Sequence, residues 1–221
     1  MAKFLGVLMA ALLAWSLTAA DALAEEGRLQ QVENMANCAV WNPAPQPNET
    51  VTWSGACANG KAQGRGVQVW RYVQDGEWKE EIYTGEMKDG KQHGRGVTVT
   101  AAGDRYDGDF RDGNINGRGV FMLANGDRYD GYWRVGKQHG RGVYVLLNGD
   151  RYDGDFLDDK PNGSGTAIIS GKTYSGYWNI GCFKSTYGSW ANMFSTKEDC
   201  GFKFGTVFSV AGARPQHEMN T

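Results

Sequence analysis

The chain has 221 residues, with 32 Gly, only 5 Pro, and 8 Trp, 10 Tyr and 9 Phe. Proline this scarce excludes collagen-like and Pro-rich disordered chains. A formal charge of -2 gives no electrostatic footprint for nucleic acid or an anionic membrane.

The first 24 residues read as a targeting segment. Lys3 is followed by a nearly continuous apolar run, Phe4 to Ala20, and then by Ala22-Leu23-Ala24 ahead of Glu25 and Glu26. A positive start, an apolar stretch and small residues at the cleavage positions are the three parts of a secretory signal. A retained membrane anchor is the other reading of the same run. Cleavage after Ala24 sends the rest of the chain to the periplasm or the extracellular space, where disulfides persist. All four cysteines, Cys38, Cys57, Cys182 and Cys200, lie in that part.

Residues 25–52 form an N-terminal cap segment. Leu29, Val32 and Met35 or Ala36 have helical spacing, so a short amphipathic helix is expected over Glu25 to Asn37. Cys38 to Pro47, with prolines at 43, 45 and 47, is expected to be extended.

The array follows, from residue 53 to 182. Tyr83, Tyr106, Tyr129 and Tyr152 recur every 23 residues, and Tyr174 follows after 22. Each opens the same pattern: Tyr83-Thr-Gly85-Glu-Met87, Tyr106-Asp-Gly108-Asp-Phe110, Tyr129-Asp-Gly131-Tyr-Trp133, Tyr152-Asp-Gly154-Asp-Phe156 and Tyr174-Ser-Gly176-Tyr-Trp178. A degenerate first copy runs from Trp53-Ser-Gly55-Ala-Cys57, and its seven extra residues are expected as a longer hairpin loop around Gln74 to Glu81. Positions i, i+2 and i+4 share one face of a strand. Glycine weakens a strand unless something packs on it, so its recurrence implies a ring lying on bare backbone. Val97 and Val99, Val120 and Met122, and Val143 and Val145 repeat the alternation on a second strand. Asn125-Gly126 and Asn148-Gly149 are expected as two-residue turns between copies. The product is an all-β, antiparallel meander of hairpins, two strands per copy. One hairpin is barely stable alone, so stacked copies must cover one another.

The pattern resembles the MORN repeat family, whose unit is similar to Tyr129-Asp-Gly-Tyr-Trp-Arg-Val-Gly-Lys-Gln-His-Gly-Arg-Gly142. The resemblance runs from Trp53 to Cys182. Met87 stands where the aromatic is expected, Asp159 replaces a glycine, and the sixth copy stops after Gly181. The resemblance implies a single-layer, curved β-hairpin solenoid of about six repeats, and the short signal segment points to an exported protein of bacterial type. It also implies a scaffold or interaction role, since catalysis in family members comes from separate attached domains.

Strand spacing selects the disulfides. Strands lie roughly 4.8 Å apart and each copy advances the sheet by about 10 Å, which separates Cys57 from Cys182 by roughly 50 Å. A disulfide needs α-carbons within about 7 Å. The expected pairs are therefore Cys38–Cys57 and Cys182–Cys200, each stapling a short cap onto a sheet edge that would otherwise invite strand addition.

No catalytic or cofactor constellation emerges. His93 and His139 are two copies apart, roughly 20 Å by strand spacing, too far to share an ion, and are expected as exposed turn residues. Asp107, Asp109 and Asp112 lack the spacing and the closing Glu of a calcium loop. Gly-x-Ser-x-Gly is missing. Arg65, Arg95, Arg118 and Arg141 form a Gly-Arg-Gly ladder, but Tyr83 to Gly181 holds 13 Lys plus Arg and 13 Asp plus Glu. Mutual compensation along solvated strands is the expected reading.

Residues 183–221 follow the array. Phe183, Tyr187, Trp190, Phe194, Phe202, Phe204 and Phe208 are expected in a C-terminal cap, with a disordered tail from Ala211. The function expected is non-enzymatic: a scaffold without cofactor or metal that binds a protein partner. The candidate binding face is Tyr106, Phe110, Tyr129, Trp133, Tyr152, Phe156, Tyr174 and Trp178. Binding of phospholipid or another polyanion by the Arg ladder is the alternative. Copies four and six carry Tyr132-Trp133 and Tyr177-Trp178 where copies three and five carry Asp109-Phe110 and Asp155-Phe156, an alternation attributed to size matching between neighbours.

Overall fold

The computed structural model describes residues 27–185, 190–195 and 200. The expected signal segment and the expected tail beyond Cys200 lie outside them. All regular structure among the described residues is β-strand. The chain divides into two compact units, Met1–Gly117 and Arg118–Thr221.

The first unit contains β1 (Arg28–Gln31), β2 (Ala39–Asn42), β3 (Thr50–Trp53), β4 (Ala56–Ala58), β5 (Lys61–Gln74), β6 (Glu77–Lys88), β7 (Lys91–Val99) and β8 (Arg105–Arg111). From β5 onward each strand pairs antiparallel with the next, while β3 and β4 also pair with β5. The cap strand β2 joins β5 in parallel at Ala39↔Lys61. β9 (Asn114–Met122) crosses the division between the units. The second unit holds β10 (Arg128–Arg134), β11 (Lys137–Val145), β12 (Arg151–Leu157), β13 (Lys160–Ile169), β14 (Lys172–Asn179), β15 (Cys182–Lys184) and β16 (Trp190–Asn192). These pair antiparallel in sequence order. In each unit the hairpin array anticipated from the 23-residue period is present.

The turns are distributed differently from the sequence expectation. Two-residue turns lie inside the copies at Asp89-Gly90, Asp112-Gly113, Val135-Gly136, Asp158-Asp159 and Ile180-Gly181, and between copies at Asp75-Gly76 and Ser170-Gly171; in each, both central residues have positive φ. That is the backbone of a type I′ turn, whose twist matches the strands it joins. At Asn125-Gly126 and Asn148-Gly149 only the glycine has positive φ. There the N–H of Gly126 donates to Leu123 O and that of Leu123 to Asp127 O. This is a three-residue loop, a type I turn closed by a glycine in the left-handed region.

Two further expectations are corrected. Glu25 to Asn37 is not a helix: its described part forms β1 and a turn, with β1 paired to β2 from Arg28↔Asn42 to Gln31↔Ala39. A helix this short is marginal in water, and β2 supplies backbone partners instead. The seven extra residues of the first copy do not make a long loop. They lengthen both strands, so that β5 and β6 pair from Gly64↔Met87 to Gln74↔Glu77 around the two-residue turn Asp75-Gly76. Tyr72 donates from its hydroxyl to Glu81 Oε1 at 2.8 Å within this extension.

Consecutive hairpins are also fastened at their ends. The N–H of Gly90 donates to Ala62 O, that of Gly113 to Gln92 O, that of Asp159 to Gln138 O and that of Gly181 to Pro161 O. At the opposite ends the buried carboxylates of Asp127 and Asp150 accept from the N–H groups of Leu147 and Ser170, at 2.9 and 2.7 Å. Both disulfides derived from strand spacing are present, with α-carbons 5.8 Å apart in Cys38–Cys57 and 5.6 Å in Cys182–Cys200.

Candidate functional site

The two faces of each strand carry different chemistry, and the Tyr-x-Gly-x-aromatic pattern creates the difference. Tyr83, Tyr129 and Tyr152 each fold over a pair of glycines facing one another across strands: Gly85↔Gly96, Gly131↔Gly142 and Gly154↔Gly165. A Cβ on Gly154 would lie 2.5 Å from the hydroxyl of Tyr152 and 2.5 Å from the Gly165 Cα, so no side chain fits beneath the ring. Trp53 fills the same place in the first copy, over Gly55 and Gly66.

Just beyond the glycine the ladder slips, between Gly85 and Glu86, between Gly131 and Trp133 and between Gly154 and Phe156. Such a bulge leaves a backbone group unpaired. The tyrosine hydroxyl satisfies it: Tyr83 donates to Glu86 O at 2.7 Å, Tyr129 to Tyr132 O at 3.0 Å and Tyr152 to Asp155 O at 3.0 Å. Tyr106 makes the same bond to Asp109 O at 3.1 Å. Burial pushes all four phenols well above the ordinary tyrosine range. They therefore remain protonated donors, as the bond requires.

The aromatic at i+4 then closes the row. Phe110 meets Tyr83 of the preceding copy edge-on at 5.1 Å and its own Tyr106 at 5.2 Å. Phe156 repeats this with Tyr129 and Tyr152, both at 5.1 Å, and Trp178 meets Tyr152 at 5.3 Å. Trp133 packs on Tyr129 at 5.0 Å and donates from its indole to Gly119 O.

These rings are interior. Tyr106, Phe110, Tyr129, Trp133, Tyr152, Phe156 and Trp178 are all buried, Tyr129, Tyr152 and Trp178 completely. The expected aromatic binding face is thereby corrected: a partner does not meet it as a surface, because neighbouring copies cover each ring. Tyr174 alone of the eight is only half-buried. The alternation of Tyr-Trp with Asp-Phe is split between the faces. The Phe or Trp points inward, while Tyr132 and Tyr177 are 51% and 68% exposed. Trp78, at the tip of the β5–β6 extension, is also exposed. The sequence reading missed it because it lies in the inserted residues, outside the repeat pattern.

The other face is a charged lattice. Asp107 lies between Arg95 at 3.5 Å and Arg105 at 2.9 Å. Asp130 lies between Arg118 at 3.8 Å and Arg128 at 2.8 Å, and Asp153 between Arg141 at 3.3 Å and Arg151 at 3.0 Å. Arg65 pairs with Glu86 at 3.0 Å. All four ladder arginines are thus paired across strands and remain largely exposed. Exposed pairs of this kind contribute little stability, up to about 1 kcal/mol each.

His93 and His139 lie in β7 and β11, half-buried, rather than in exposed turns as expected. Two-residue turns place them on the strands that follow. His93 Nδ1 faces the Asp112 carboxylate at 3.7 Å. No group of three or more metal-ligating side chains is assembled among the described residues.

Hairpins whose rings stack copy on copy, with polar side chains turned outward, define a β-repeat protein. The sequence profile of the MORN repeat family matches residues 58–71, 83–105, 106–128, 129–151 and 152–169, so the chain carries MORN repeats. Four of these matches begin at the tyrosines Tyr83, Tyr106, Tyr129 and Tyr152, or lie in register with them. No curated protein matches the chain.

Proposed function

We propose that this protein is a non-enzymatic, exported scaffold that binds a protein partner over the outward face of its hairpin repeats. The observation that carries this reading is the division of labour between the faces. The inward row is consumed by ring stacking, whereas the outward face holds Tyr132 and Tyr177 half or more exposed on a backbone fastened at both hairpin ends. Exposed tyrosines on a rigid frame lose little conformational entropy on binding and are favoured anchors at protein interfaces. The two disulfides suit an oxidising compartment, in keeping with export.

A photo-crosslinking residue at position 132 or 177, in the protein's native compartment, is expected to give one discrete, saturable protein adduct, absent when the same residue replaces the buried Tyr152. Failure to form such an adduct from either position would remove the reading.

A second reading, binding of phospholipid or another polyanion, is favoured by the exposure of the ladder: the Arg65, Arg95, Arg118 and Arg141 side chains are 82, 65, 69 and 61% exposed. Two guanidiniums share each of Asp130 and Asp153, which leaves one positive charge per triad, whereas Arg95 also reaches Asp109 at 3.8 Å. Flotation with anionic vesicles tests it; binding that is lost with added salt supports it, and no binding at low salt ends it.

A further inference from the structure

The second copy interrupts the charged lattice. In copies three to five the residues on either side of the tyrosine are Arg and Asp: Arg105 and Asp107, Arg128 and Asp130, Arg151 and Asp153. Around Tyr83 they are Ile82 and Thr84. Ile82 lies opposite Val69 on β5 and opposite Val99 on β7, so an aliphatic row crosses three strands of the outward face. Farther along the β5–β6 extension, on the same face, Arg71 pairs with Glu80 at 2.9 Å and Val73 lies opposite Trp78. Trp78 is 65% exposed, Val73 47% and Val99 38%, while Val69 and Ile82 are half-buried.

The inward side of the same strands carries the buried Gln68, Trp70, Tyr72 and Tyr83. These strands are thus largely apolar on both sides, the composition of strands that lie between two layers. An exposed apolar patch on such a strand pair marks an interaction surface.

We infer that this outward face binds a second copy of the chain, packed sheet on sheet through β3, β5, β6 and β7. The cross-strand pairs point to this occupant, because each matches a large side chain with a smaller one or a cation with an anion. A twofold axis lying in the interface, between β5 and β6 and parallel to them, sets β5 of one copy over β6 of the other. Trp78 then rests on Val73 of the second copy, Ile82 rests on Val69, and Arg71 reaches Glu80, each contact occurring twice. Val99, beside Ile82, comes over Thr52, which lies opposite Val69 on β3. An isologous interface requires this self-complementarity, and aligned sheets pack in this manner about 10 Å apart. The Arg71–Glu80 pair is neutral as a unit, so the face offers nothing to steer a strongly charged partner. Four strands by seven residues cover roughly 19 by 23 Å, or roughly 440 Å² per copy in projection. That is the size of a weak, reversible dimer. The inference uses the first unit alone, and the purified chain tests it without the partner proposed above.

Sedimentation velocity of the disulfide-bonded chain from about 1 to 500 µM is the experiment. The mean mass is expected to rise from one chain toward two, with a midpoint in the micromolar range. Ile82→Arg with Thr84→Asp installs the residues that copies three to five carry and so suits the fold; it should weaken the dimer at least about tenfold. The charges give a second arm. Arg71→Glu sets carboxylate against carboxylate across the axis, and Glu80→Arg sets guanidinium against guanidinium, so each variant should stay monomeric alone. Mixed in equal amounts, the two variants bring opposite charges together and should form a heterodimer, which no effect on folding would produce. A mass of one chain at every concentration overturns the inference. A dimer whose midpoint is unmoved by Ile82→Arg with Thr84→Asp forms through another face and overturns it, as does failure of the mixed variants to associate.

Discussion

Tyr152 and Tyr174 open the same pattern one copy apart, yet one is sealed and the other is not. Tyr152 lies over Gly154 and Gly165, donates to Asp155 O, and is flanked by Phe156 and Trp178. It has no exposed surface. Tyr174 opens the same Tyr-x-Gly-x-aromatic pattern, but among the described residues the strand that pairs with β14 on its far side, β15, is three residues long. The difference teaches that burial here belongs to the stack and not to the repeat. One copy supplies a ring and a bare glycine, and the next copy supplies the cover, as expected for a nearest-neighbour array.

That comparison can be broken most directly by truncating the two rings. Tyr152→Ala should destabilise the protein by about 3–5 kcal/mol, the range for deleting a buried aromatic. Tyr174→Ala should cost about 1–2 kcal/mol, as for a partly covered site. Denaturant midpoints at unchanged slope read both, and equal losses would show that Tyr174 is sealed after all. Replacing Cys182 and Cys200 together by serine comes next. Loss of a staple of 18-residue separation is expected to cost about 3 kcal/mol, with exchange protection falling first in β14 to β16.

The glycines sharpen the comparison on the backbone side. Gly154→Ala drives a methyl into the Tyr152 ring and the Gly165 backbone, with an expected loss of about 1–3 kcal/mol. Gly171, in the turn before β14, has open space around it but a φ of +75°. Alanine there should cost about 1 kcal/mol from backbone strain alone, so thermal unfolding should separate the two variants.

The smallest expected effect is a pH dependence in the copy that departs from the pattern. Asp159 takes the turn position held by glycine in neighbouring copies, with a φ of +71°. Its Oδ1 accepts from the Gln138 N–H at 2.8 Å. Burial raises its carboxyl above the ordinary value, against the opposing pull of that bond. A raised carboxyl means that the folded protein holds the proton more tightly than the unfolded chain. Stability is therefore lost as pH rises from the ordinary carboxylate value through the raised one. Asp159→Asn keeps an acceptor for Gln138 and tolerates positive φ. Its unfolding free energy should lack this decline, which a series of denaturant titrations across the acidic range would read.

Much of the fold was legible because the period is long-lived and regular. Tyr at every twenty-third residue placed strands, counted copies, and set the distances that chose Cys38–Cys57 and Cys182–Cys200. The errors came where local sequence has more than one solution. Asn125-Gly126 is competent for a two-residue turn, but Asp127 is needed across the stack to accept from Leu147 N–H, and the three-residue loop presents it. Leu29 and Val32 have helical spacing, yet a neighbouring strand was available to pair with. Trp78 was invisible because it belongs to no repeat.

What the sequence determined by itself was the alternation: rings and glycines on one side of each strand, Arg and Asp on the other. Which side faces outward was beyond it, since a row of tyrosines reads equally as an open surface or as an interior. Only the stacking of copies decided that, because Tyr83, Tyr129 and Tyr152 are each covered by an aromatic ring that arrives 26 or 27 residues later in the chain. The same physics leaves Tyr174, at the last copy, half-buried.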